Sequence, residues 1–357
     1  MSITISPQAT IDEIAGSGFH GVTLRVNDDG GEWTGSAGVA ELGGTAKPSV
    51  DGHVRIGSNT KTFLATLMLC LVAEGRAGLD VPAAGYLPEA GLDERITVRM
   101  LLRHTSGLFN FTGEINPDGT IVPGIPVPYG PGAARWLANR FHTYQPRELV
   151  RIALSQPARF EPGERWSYSN TNYVLARLII ESITGRSLAD EMRRLILEPL
   201  GLTGTLLPEA SPEIPEPFAH AYHRDGDIID VTRQNPSWIS AGGDMISTTR
   251  DLHTFISALT GGRLLPGPLL AEMCTPYPTG IPDMDYGLGV FVLTTPGGTI
   301  ISHNGAAVGH AALMYSTPDG SRTLTAALSC VDDAGLSIAP AFQRAQQRLL
   351  AEVFTGR

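Results

Sequence analysis

Apolar and polar residues alternate in short runs near the start of the chain. Within 19–27 valine and leucine alternate with polar neighbours, and a second run at 31–40 follows the stretch Asp-Asp-Gly-Gly at 28–31. Strict alternation over several residues is typical of a half-buried strand, and a short Gly-rich connection is typical of a hairpin. The pattern therefore predicts a β-hairpin in this part of the chain.

The C-terminal part of the chain shows similar short apolar runs. The predicted strands are 286–293, 299–303, 311–316 and 324–328. Gly- and Pro-containing turns separate them at 296–298 and 318–320. Pro340 fits the first turn of a final helix that reaches about Val353, because proline is tolerated at that position.

The long middle of the chain has helical patterns instead. A helix is predicted from Ser58 to about Glu74, and its apolar residues cover much of its circumference, which is typical of a buried helix. The segment 80–235 is mostly helical, most clearly from Tyr173 to Thr184. Strands at both ends around a helical middle predict an α+β fold, with one antiparallel sheet that both chain ends form and that helices flank.

These patterns divide the chain into two predicted lobes. Residues 1–78 and 236–357 form a discontinuous α/β lobe, and residues 79–235 form a mostly helical lobe. A Pro/Gly-rich loop at 113–134 interrupts the helical part. A loop of this length is either functional or loosely ordered, and the sequence leaves both interpretations open.

Composition and charge exclude several classes of protein. The chain has 357 residues, of which 42% are hydrophobic and 17% charged, and a net charge of −10. These values are typical of an ordered globular protein, and they argue against nucleic acid and anionic membranes as partners. The N-terminus lacks the features of a secretory signal, and the three cysteines are widely spaced. We therefore expect a cytoplasmic protein.

A serine and a lysine three residues apart open the predicted central helix. Ser58 and Lys61 would lie on one helix face, about one turn apart, and Lys61 is one of only two lysines in the chain. A serine hydroxyl becomes a useful nucleophile when a base lies within hydrogen-bond reach, and a lysine can be that base if burial keeps it neutral. The alternative interpretation is a helix-capping serine beside a solvated lysine.

A tyrosine and an asparagine form the second motif, on a loop that leads into the Tyr173 helix. The phenol of Tyr168 can relay a proton to a leaving group. The amide of Asn170 can hold a lysine or a substrate through its donor and acceptor groups. Capping of the following helix by Asn170 is the competing interpretation.

The third motif, His303 and Gly305, lies at the end of a predicted strand. Gly305 would let a substrate backbone approach closely, because glycine has no Cβ. The N–H group of Ala306 could act as a second oxyanion donor beside that of Ser58. A simple turn at the strand end is the alternative interpretation.

Other kinds of site are less well supported by the sequence. The chain has no Gly-x-Ser-x-Gly motif, no phosphate-binding loop and no dinucleotide-binding glycine motif. His220 and His223 have a possible metal-ligand spacing but no third ligand, which is more typical of a surface pair. We therefore predict neither a metal nor a cofactor.

In this order, Ser58-x-x-Lys61, Tyr168-x-Asn170 and His303-x-Gly305 resemble the serine β-lactamase and penicillin-binding-protein superfamily. The likeness is nearest to class C-type enzymes, soluble D-alanyl-D-alanine carboxypeptidases and related esterases, D-amidases and peptide cyclases. Further similar segments are 101–108, 160–173, 237–243 and 286–289. The resemblance implies a β-lactamase/DD-peptidase-like fold with the active site at the interface of the two lobes.

The resemblance also implies roles for individual residues. Ser58 would form an acyl-enzyme, and Lys61 and Tyr168 would share the general-base and general-acid roles, with either one as the base. Asn170 would orient Lys61 and the substrate, and the N–H groups of Ser58 and Ala306 would form the oxyanion hole. His303 stands where many relatives carry lysine and some carry histidine. Trp238 would line the pocket.

Two positions depart from the carboxypeptidases of this superfamily. Those enzymes carry a hydroxyl residue after the histidine and an arginine after the Tyr-Gly-Leu-Gly segment, and these groups help to hold a free substrate carboxylate. This chain has Asn304 and Phe291 there, and the resemblance implies that both contact the substrate. Losing an arginine removes a strong carboxylate anchor. We therefore doubt that trimming of cell-wall peptides is the function.

The sequence thus predicts a serine hydrolase or acyltransferase that forms an acyl-enzyme from an ester, thioester or amide. The substrate would be a small molecule or a peptide, including peptides with D-residues and substrates bound to a carrier protein. The alternatives are a D,D-carboxypeptidase or class C-type β-lactamase, and a non-catalytic binding domain with the same fold.

Overall fold

The structure, a computed structural model, describes residues 7–115 and 120–355, so part of the predicted 113–134 loop lies outside it. The strands are β1 (Phe19–Asp28), β2 (Gly31–Gly38), β3 (Val54–Arg55), β4 (Glu114–Ile115), β5 (Ile121–Val122), β6 (Tyr222–Asp225), β7 (Asp227–Asp230), β8 (Ile246–Ser247), β9 (Tyr277–Ile281), β10 (Met284–Tyr286), β11 (Phe291–Thr295), β12 (Gly298–Ala307), β13 (His310–Ser316) and β14 (Thr323–Asp333). The α-helices are α1 (Pro7–Ala15), α2 (Thr60–Ala73), α3 (Ala83–Tyr86), α4 (Val98–Arg103), α5 (Ala133–Ala138), α6 (Pro146–Leu154), α7 (Thr171–Thr184), α8 (Leu188–Met192), α9 (Glu198–Leu200), α10 (Thr249–Thr260), α11 (Gly267–Met273) and α12 (Ala339–Leu350).

One large sheet joins strands from both ends of the chain. Its order is β2-β1-β14-β13-β12-β11-β10-β9, and neighbouring strands along this path are antiparallel. The predicted α+β fold with a sheet from both chain ends is therefore confirmed. The middle of the chain, which we predicted to be mostly helical, adds the β6–β7 hairpin, and β6 pairs in parallel with the end of β14.

The two faces of the sheet cover separate hydrophobic cores. One core contains residues of α2, α7 and α10, and the other contains residues of α1 and α12. Every residue of α2 from Thr60 to Leu71 is buried, as predicted for a helix that is apolar on most sides. In the described part of the chain, no helix combines the length and apolarity that crossing a bilayer requires.

The predicted strand at 286–293 is in fact two strands, β10 and β11, joined by a turn. The turn passes close to α2: Gly289 has a φ of +80°, and its carbonyl accepts a hydrogen bond of 2.8 Å from Thr62 Oγ1. A Cβ at Gly289 would lie 2.3 Å from the Cβ of Ala65. The apolar run could not reveal this turn, because the packing against α2 determines it.

The described part of the 113–134 loop makes defined backbone contacts. Strands β4 and β5 pair with each other on either side of the undescribed residues 116–119. The N–H group of Gly130 donates to the carbonyl of Ala334 at 2.7 Å, which ties the loop to the end of the large sheet. These contacts connect the described residues of the loop to the rest of the fold, and both interpretations of the loop stay predictions.

The histidines at 220 and 223 do not form a surface pair. His223 is buried, and its Nε2 lies 3.0 Å from the carbonyl oxygen of Pro128 in the loop. His220 Nδ1 instead lies 2.6 Å from Asp230 Oδ2 on strand β7. Each ring therefore has its own structural partner.

Candidate active site

Ser58 lies in a short 3₁₀ turn, Gly57–Asn59, directly before α2 rather than inside the helix. Its hydroxyl oxygen lies 3.1 Å from Lys61 Nζ. The residue at the cap of α2 is Asn59, and the Lys61 side chain is completely buried. The alternative interpretation, a capping serine beside a solvated lysine, is therefore wrong.

Lys61 has two further oxygen neighbours besides Ser58. Its Nζ donates to Asn170 Oδ1 at 2.8 Å and to the carbonyl of Gly242 at 2.5 Å. Both of these oxygens can only accept hydrogen bonds. A neutral amine has two N–H groups and one lone pair, so with both N–H groups directed at these oxygens, its lone pair faces the Ser58 hydroxyl.

The surroundings of Lys61 favour this neutral form. Burial lowers the pKa of Lys61 well below its usual value of 10.5, while the negative charge of Asp244 raises it by a smaller amount. A lysine in an apolar interior loses its proton because the ammonium is poorly solvated there. Lys61 thus combines the position and the electrostatic environment of a general base for Ser58.

Asn170 uses its side chain for the site rather than for the helix. It is the cap residue of α7, but its side chain makes no capping hydrogen bond. Besides accepting from Lys61, the amide donates through Nδ2 to Thr112 Oγ1 at 3.3 Å, and the backbone N–H donates to Asn110 Oδ1 at 3.1 Å. The capping interpretation is therefore wrong, and Asn170 links Lys61 to Asn110 and Thr112.

Tyr168 completes the group around the serine. The Lys61 Nζ lies 4.7 Å from the centre of the Tyr168 ring, and the tyrosine hydroxyl shares a hydrogen bond with Ser58. Burial raises the pKa of Tyr168 above its usual value of 10. The phenol therefore keeps its proton at neutral pH, and its hydroxyl lies within hydrogen-bond reach of the nucleophile.

The N–H groups of Ser58 and Ala306 lie where β12 crosses the turn before α2. A Cβ at Gly57, which has a φ of +50°, would lie 2.6 Å from the backbone nitrogen of Ala306. A Cβ at Gly305 would lie 1.8 Å from the Ile56 carbonyl oxygen and 2.7 Å from the backbone nitrogen of Ser58. Gly305 thus permits close approach, as predicted, but the backbone that approaches is the chain's own.

We expect Gly305→Ala to disrupt this crossing. The added methyl group would collide with backbone atoms that cannot rotate away, so we expect a loss of about 2–4 kcal/mol in the free energy of unfolding, measured by urea denaturation. Gly85→Ala is the matched control, because a Cβ at Gly85 meets no atom within 4 Å beyond its own helix and chain neighbours. Equal stabilities of the two variants would contradict the close crossing.

His303 lies on β12 beside the site as an uncharged ring. Its Nδ1 lies 2.8 Å from the Asn304 carbonyl oxygen, and its Nε2 lies 3.2 Å from the Tyr286 hydroxyl. Burial lowers the pKa of His303 to about 3. The neutral ring therefore donates from Nδ1 and accepts at Nε2, so this position supplies no positive charge.

The same pKa predicts how acid affects stability. The folded-state pKa of His303, about 3, lies below its ordinary value of 6.5, so the unfolded chain binds more protons between these pH values. Stability is therefore lost as the pH falls from about 6.5 towards 3, by up to about 1.4 kcal/mol per pH unit for this histidine. In urea unfolding at pH 6.5, 5.5 and 4.5, His303→Gln should show a shallower decline than the wild type. Parallel declines would contradict the low pKa.

The structure does not bring the Asn304 side chain to the site, which corrects the predicted substrate contact. Side chains alternate along a strand, and the Cβ position of Gly305 faces Ser58, so Asn304 points to the opposite face of the sheet. There its amide makes a hydrogen bond with the hydroxyl of Tyr315, which belongs to the core that α1 and α12 cover.

The other two predicted pocket residues are aromatic side chains with aromatic neighbours. The ring of Phe291 lies 5.1 Å from that of His303 and 4.7 Å, edge to face, from that of Tyr286. The ring of Trp238 lies 6.1 Å from that of Trp136, also edge to face, and is largely buried. The position where related carboxypeptidases carry arginine is therefore apolar and packs against His303.

Sequence reasoning missed three groups around the site. They are the Gly242 carbonyl that accepts from Lys61, the buried carboxylate of Asp244, and His104, whose Nδ1 accepts from the backbone N–H of Ser169 at 3.2 Å. Gly242 and His104 lie in the segments 237–243 and 101–108 that resemble the superfamily. That likeness was the available signal, but no residue pattern shows where a carbonyl points.

Comparisons with known proteins show the same fold and family. Residues 8–346 match the family described as Beta-lactamase. A D-stereospecific amidohydrolase from Streptomyces sp. has a TM-score of 0.83 and 35% identity, with 98% of each chain covered. D-amino acid amidase from Ochrobactrum anthropi SV3, in complex with L-phenylalanine amide, has a TM-score of 0.79 and 26% identity, covering 96% of this chain and 97% of that chain.

Penicillin-binding protein 4* from Bacillus subtilis (strain 168) is 26% identical over 324 residues, which make up 86% of this chain and 67% of that protein. The chain spans about two thirds or less of the curated relatives that it matches. The likenesses confirm the predicted fold and the prediction of an enzyme. This chain belongs to the β-lactamase and penicillin-binding-protein superfamily of serine hydrolases.

Proposed function

We propose that the protein is a serine amidohydrolase that forms an acyl-enzyme on Ser58 from an amide or ester of a D-amino acid, or of a short peptide that contains one. The observation that carries the proposal is the buried Lys61 amine, 3.1 Å from the Ser58 hydroxyl oxygen. A non-catalytic binding domain would have no need to keep a desolvated lysine against a serine.

In the proposed first step, Lys61 is the base. Its lone pair takes the Ser58 proton while Oγ attacks the substrate carbonyl carbon, so that a C–O bond forms and Lys61 becomes an ammonium. The carbonyl oxygen becomes an oxyanion, and the N–H groups of Ser58 and Ala306 are the proposed donors that stabilise it. Asn170 and the Gly242 carbonyl keep the amine oriented throughout the step.

In the proposed second step, Tyr168 is the acid. Because its pKa is raised, the phenol still carries a proton and can deliver it to the leaving nitrogen as the C–N bond breaks. The phenolate then recovers a proton from the Lys61 ammonium, which restores both groups. Attack of water on the acyl-enzyme repeats the sequence and releases the acid, and attack of an amine would transfer the acyl group instead.

The likeness to enzymes that act on D-amino acid derivatives supports the proposed substrate class. The described side chains that contact Ser58 or Lys61 contribute no second cation, and His303 and Phe291 are uncharged. A substrate with a neutral amide or ester group therefore suits this site better than one with a free carboxylate next to the scissile bond.

The test measures hydrolysis of D-phenylalanine amide and of L-phenylalanine amide through the ammonia that each reaction releases. D-phenylalanine methyl ester serves as a more reactive acyl donor. We expect turnover of the D-amide and D-ester, a strong preference over the L-amide, and no turnover by Ser58→Ala. Equal turnover by wild type and Ser58→Ala would reject the acyl-enzyme, and equal rates for both enantiomers would reject the D-preference.

A D,D-carboxypeptidase is the second candidate, because the chain is 26% identical to penicillin-binding protein 4* over 86% of its length. Rapid release of D-alanine from a peptide that ends in D-Ala-D-Ala, faster than hydrolysis of the D-amide, would favour it. Rapid nitrocefin hydrolysis would favour a β-lactamase instead. Location in the cytoplasm and a carrier-bound substrate stay predictions.

A further inference from the structure

Asp244 is a buried carboxylate that the proposed mechanism does not use. It follows the Gly242–Gly243 pair and is only 2% exposed. Its Oδ1 has no hydrogen-bond partner among the described residues. An isolated buried carboxylate is unfavourable, so its presence beside a catalytic group requires an explanation.

The carboxylate of Asp244 holds an unusual turn. It accepts a hydrogen bond from the backbone N–H of Ala241, which has a φ of +58°. A left-handed conformation is strained for alanine by about 1 kcal/mol or more, so it persists only where other contacts stabilise it. The next residue, Gly242, directs its carbonyl at Lys61 Nζ at 2.5 Å.

The turn fits tightly between two parts of the site. A Cβ at Gly242 would lie 3.0 Å from Asn170 Oδ1, and a Cβ at Gly243 would lie 3.3 Å from the carbonyl carbon of Gly57. A small displacement of this turn would therefore change the hydrogen bond to Lys61 and press on its neighbours. The N–H groups of Gly242 and Gly243 donate to the Ile239 carbonyl at 3.0 Å and 2.9 Å, and the Asp244–Ala241 contact holds the turn at its strained residue.

Asp244 also acts on Lys61 through its charge. The charged groups that face Asp244 are Lys61 from α2, Arg177 from α7 and Glu209 from the segment after α9. Arg177 is itself bound to Glu181 and Glu209, both at 2.9 Å. Its positive charge is thus shared between two other carboxylates.

The groups that face Lys61, apart from Asp244, are uncharged in the resting enzyme. They are Tyr168, Tyr173, His104 and His303; burial raises the pKa of each tyrosine and lowers the pKa of each histidine. When Lys61 becomes an ammonium in this apolar site, Asp244 is therefore the negative charge that stabilises it.

We propose that Asp244 is a positioning residue for Lys61: its carboxylate holds the left-handed turn that aims the Gly242 carbonyl at the amine, and its charge stabilises the ammonium that forms when Lys61 takes the Ser58 proton. The second half rests on the proposed function, in which Lys61 is the base. The first half rests on the described contacts alone.

The test compares Asp244→Asn, which can keep the hydrogen bond to Ala241 but removes the charge, with Asp244→Ala, which removes both. The first readout is the pH at which the Lys61 side chain loses its proton, measured by NMR of ¹⁵N-lysine-labelled protein. Removing a nearby negative charge should lower this pH by about one unit in both variants. This readout needs no substrate, so it distinguishes failure of this proposal from failure of the proposed function.

The second readout is turnover of the D-amide or D-ester. We expect kcat to fall about tenfold in Asp244→Asn, because a decrease of one unit in the pKa of Lys61 means a tenfold weaker stabilisation of its ammonium form. In Asp244→Ala we expect kcat to fall further. Adding Ala241→Gly to Asp244→Ala should recover the further loss, because glycine adopts the left-handed turn without strain, but should leave the Lys61 titration shifted.

Asp251→Asn is the matched control, since Asp251 is also buried but binds Gly204 and Thr205, at 2.9 Å and 2.7 Å. It should change neither the Lys61 titration nor kcat, even if it lowers stability. An unmoved Lys61 titration in Asp244→Asn would overturn the proposal, as would an unchanged kcat with a substrate that the wild type turns over.

Discussion

Replacing Ser58 with alanine is expected to abolish turnover of D-amino acid amides and esters. The variant keeps Lys61, Tyr168 and the proposed oxyanion donors but has no atom that can form the covalent intermediate. Losses of the nucleophile in serine hydrolases reduce kcat by roughly 10⁴- to 10⁶-fold, and we expect a loss of that size here, with the small residual rate coming from substrate binding and the oxyanion donors. The measurement is kcat with the most reactive D-ester, together with intact-protein mass spectrometry to detect the acyl-enzyme.

Ser155→Ala is the control for this experiment. Ser155 follows α6, is exposed, and its hydroxyl donates to the Ile152 carbonyl at 2.7 Å. It should keep wild-type turnover and the mass of the acyl adduct. An adduct that persists in Ser58→Ala would show that another residue is the nucleophile, which would contradict the proposed site.

Replacing Lys61 with methionine is expected to have an effect of similar size. Methionine fills much of the same volume but cannot accept the Ser58 proton, so the hydroxyl stays a weak nucleophile. We expect kcat/KM to fall by about 10³-fold or more, because both the base and the source of the Tyr168 proton are lost. Lys61→Arg should be as impaired, since a guanidinium does not lose its proton in proteins.

The chain offers a matched control for the lysine variants. Lys47 is the other lysine, and it is exposed. Lys47→Met makes the same substitution away from the site and should therefore leave kcat/KM unchanged. If Lys61→Arg retained wild-type activity, a positive charge rather than a neutral base would be what the site requires at position 61.

The core of the candidate site was accessible from sequence because local rules place it. A serine and a lysine three residues apart at a helix start must lie about one turn apart, and the structure places their side-chain atoms 3.1 Å apart. The long apolar stretch of α2 likewise indicated burial, and burial explains the low pKa of Lys61. The relation to Tyr168 and Asn170, more than a hundred residues away, came only from the family resemblance.

Other features depend on long-range packing and could not be predicted. The Gly242 carbonyl reaches Lys61 because of a left-handed turn at Ala241, and neither a carbonyl direction nor a positive φ at alanine has a sequence signal. The break between β10 and β11 likewise depends on contacts of Gly289 with α2. The position of Asn304 could have been predicted. If the predicted strand had continued beyond 303, side-chain alternation would have placed Asn304 on the face of the sheet opposite that of Gly305.

The most direct test of the central claim is the ionisation of Lys61 in the wild-type protein. With only two lysines, ¹⁵N-lysine labelling gives two side-chain signals, and Lys47→Arg assigns the remaining one to Lys61. A pH titration should show that Lys61, whose Nζ lies 3.1 Å from the Ser58 oxygen, loses its proton well below pH 10.5. A Lys61 signal that stays protonated up to about pH 10 would contradict the proposed general base, since a charged lysine has no lone pair to accept the serine proton.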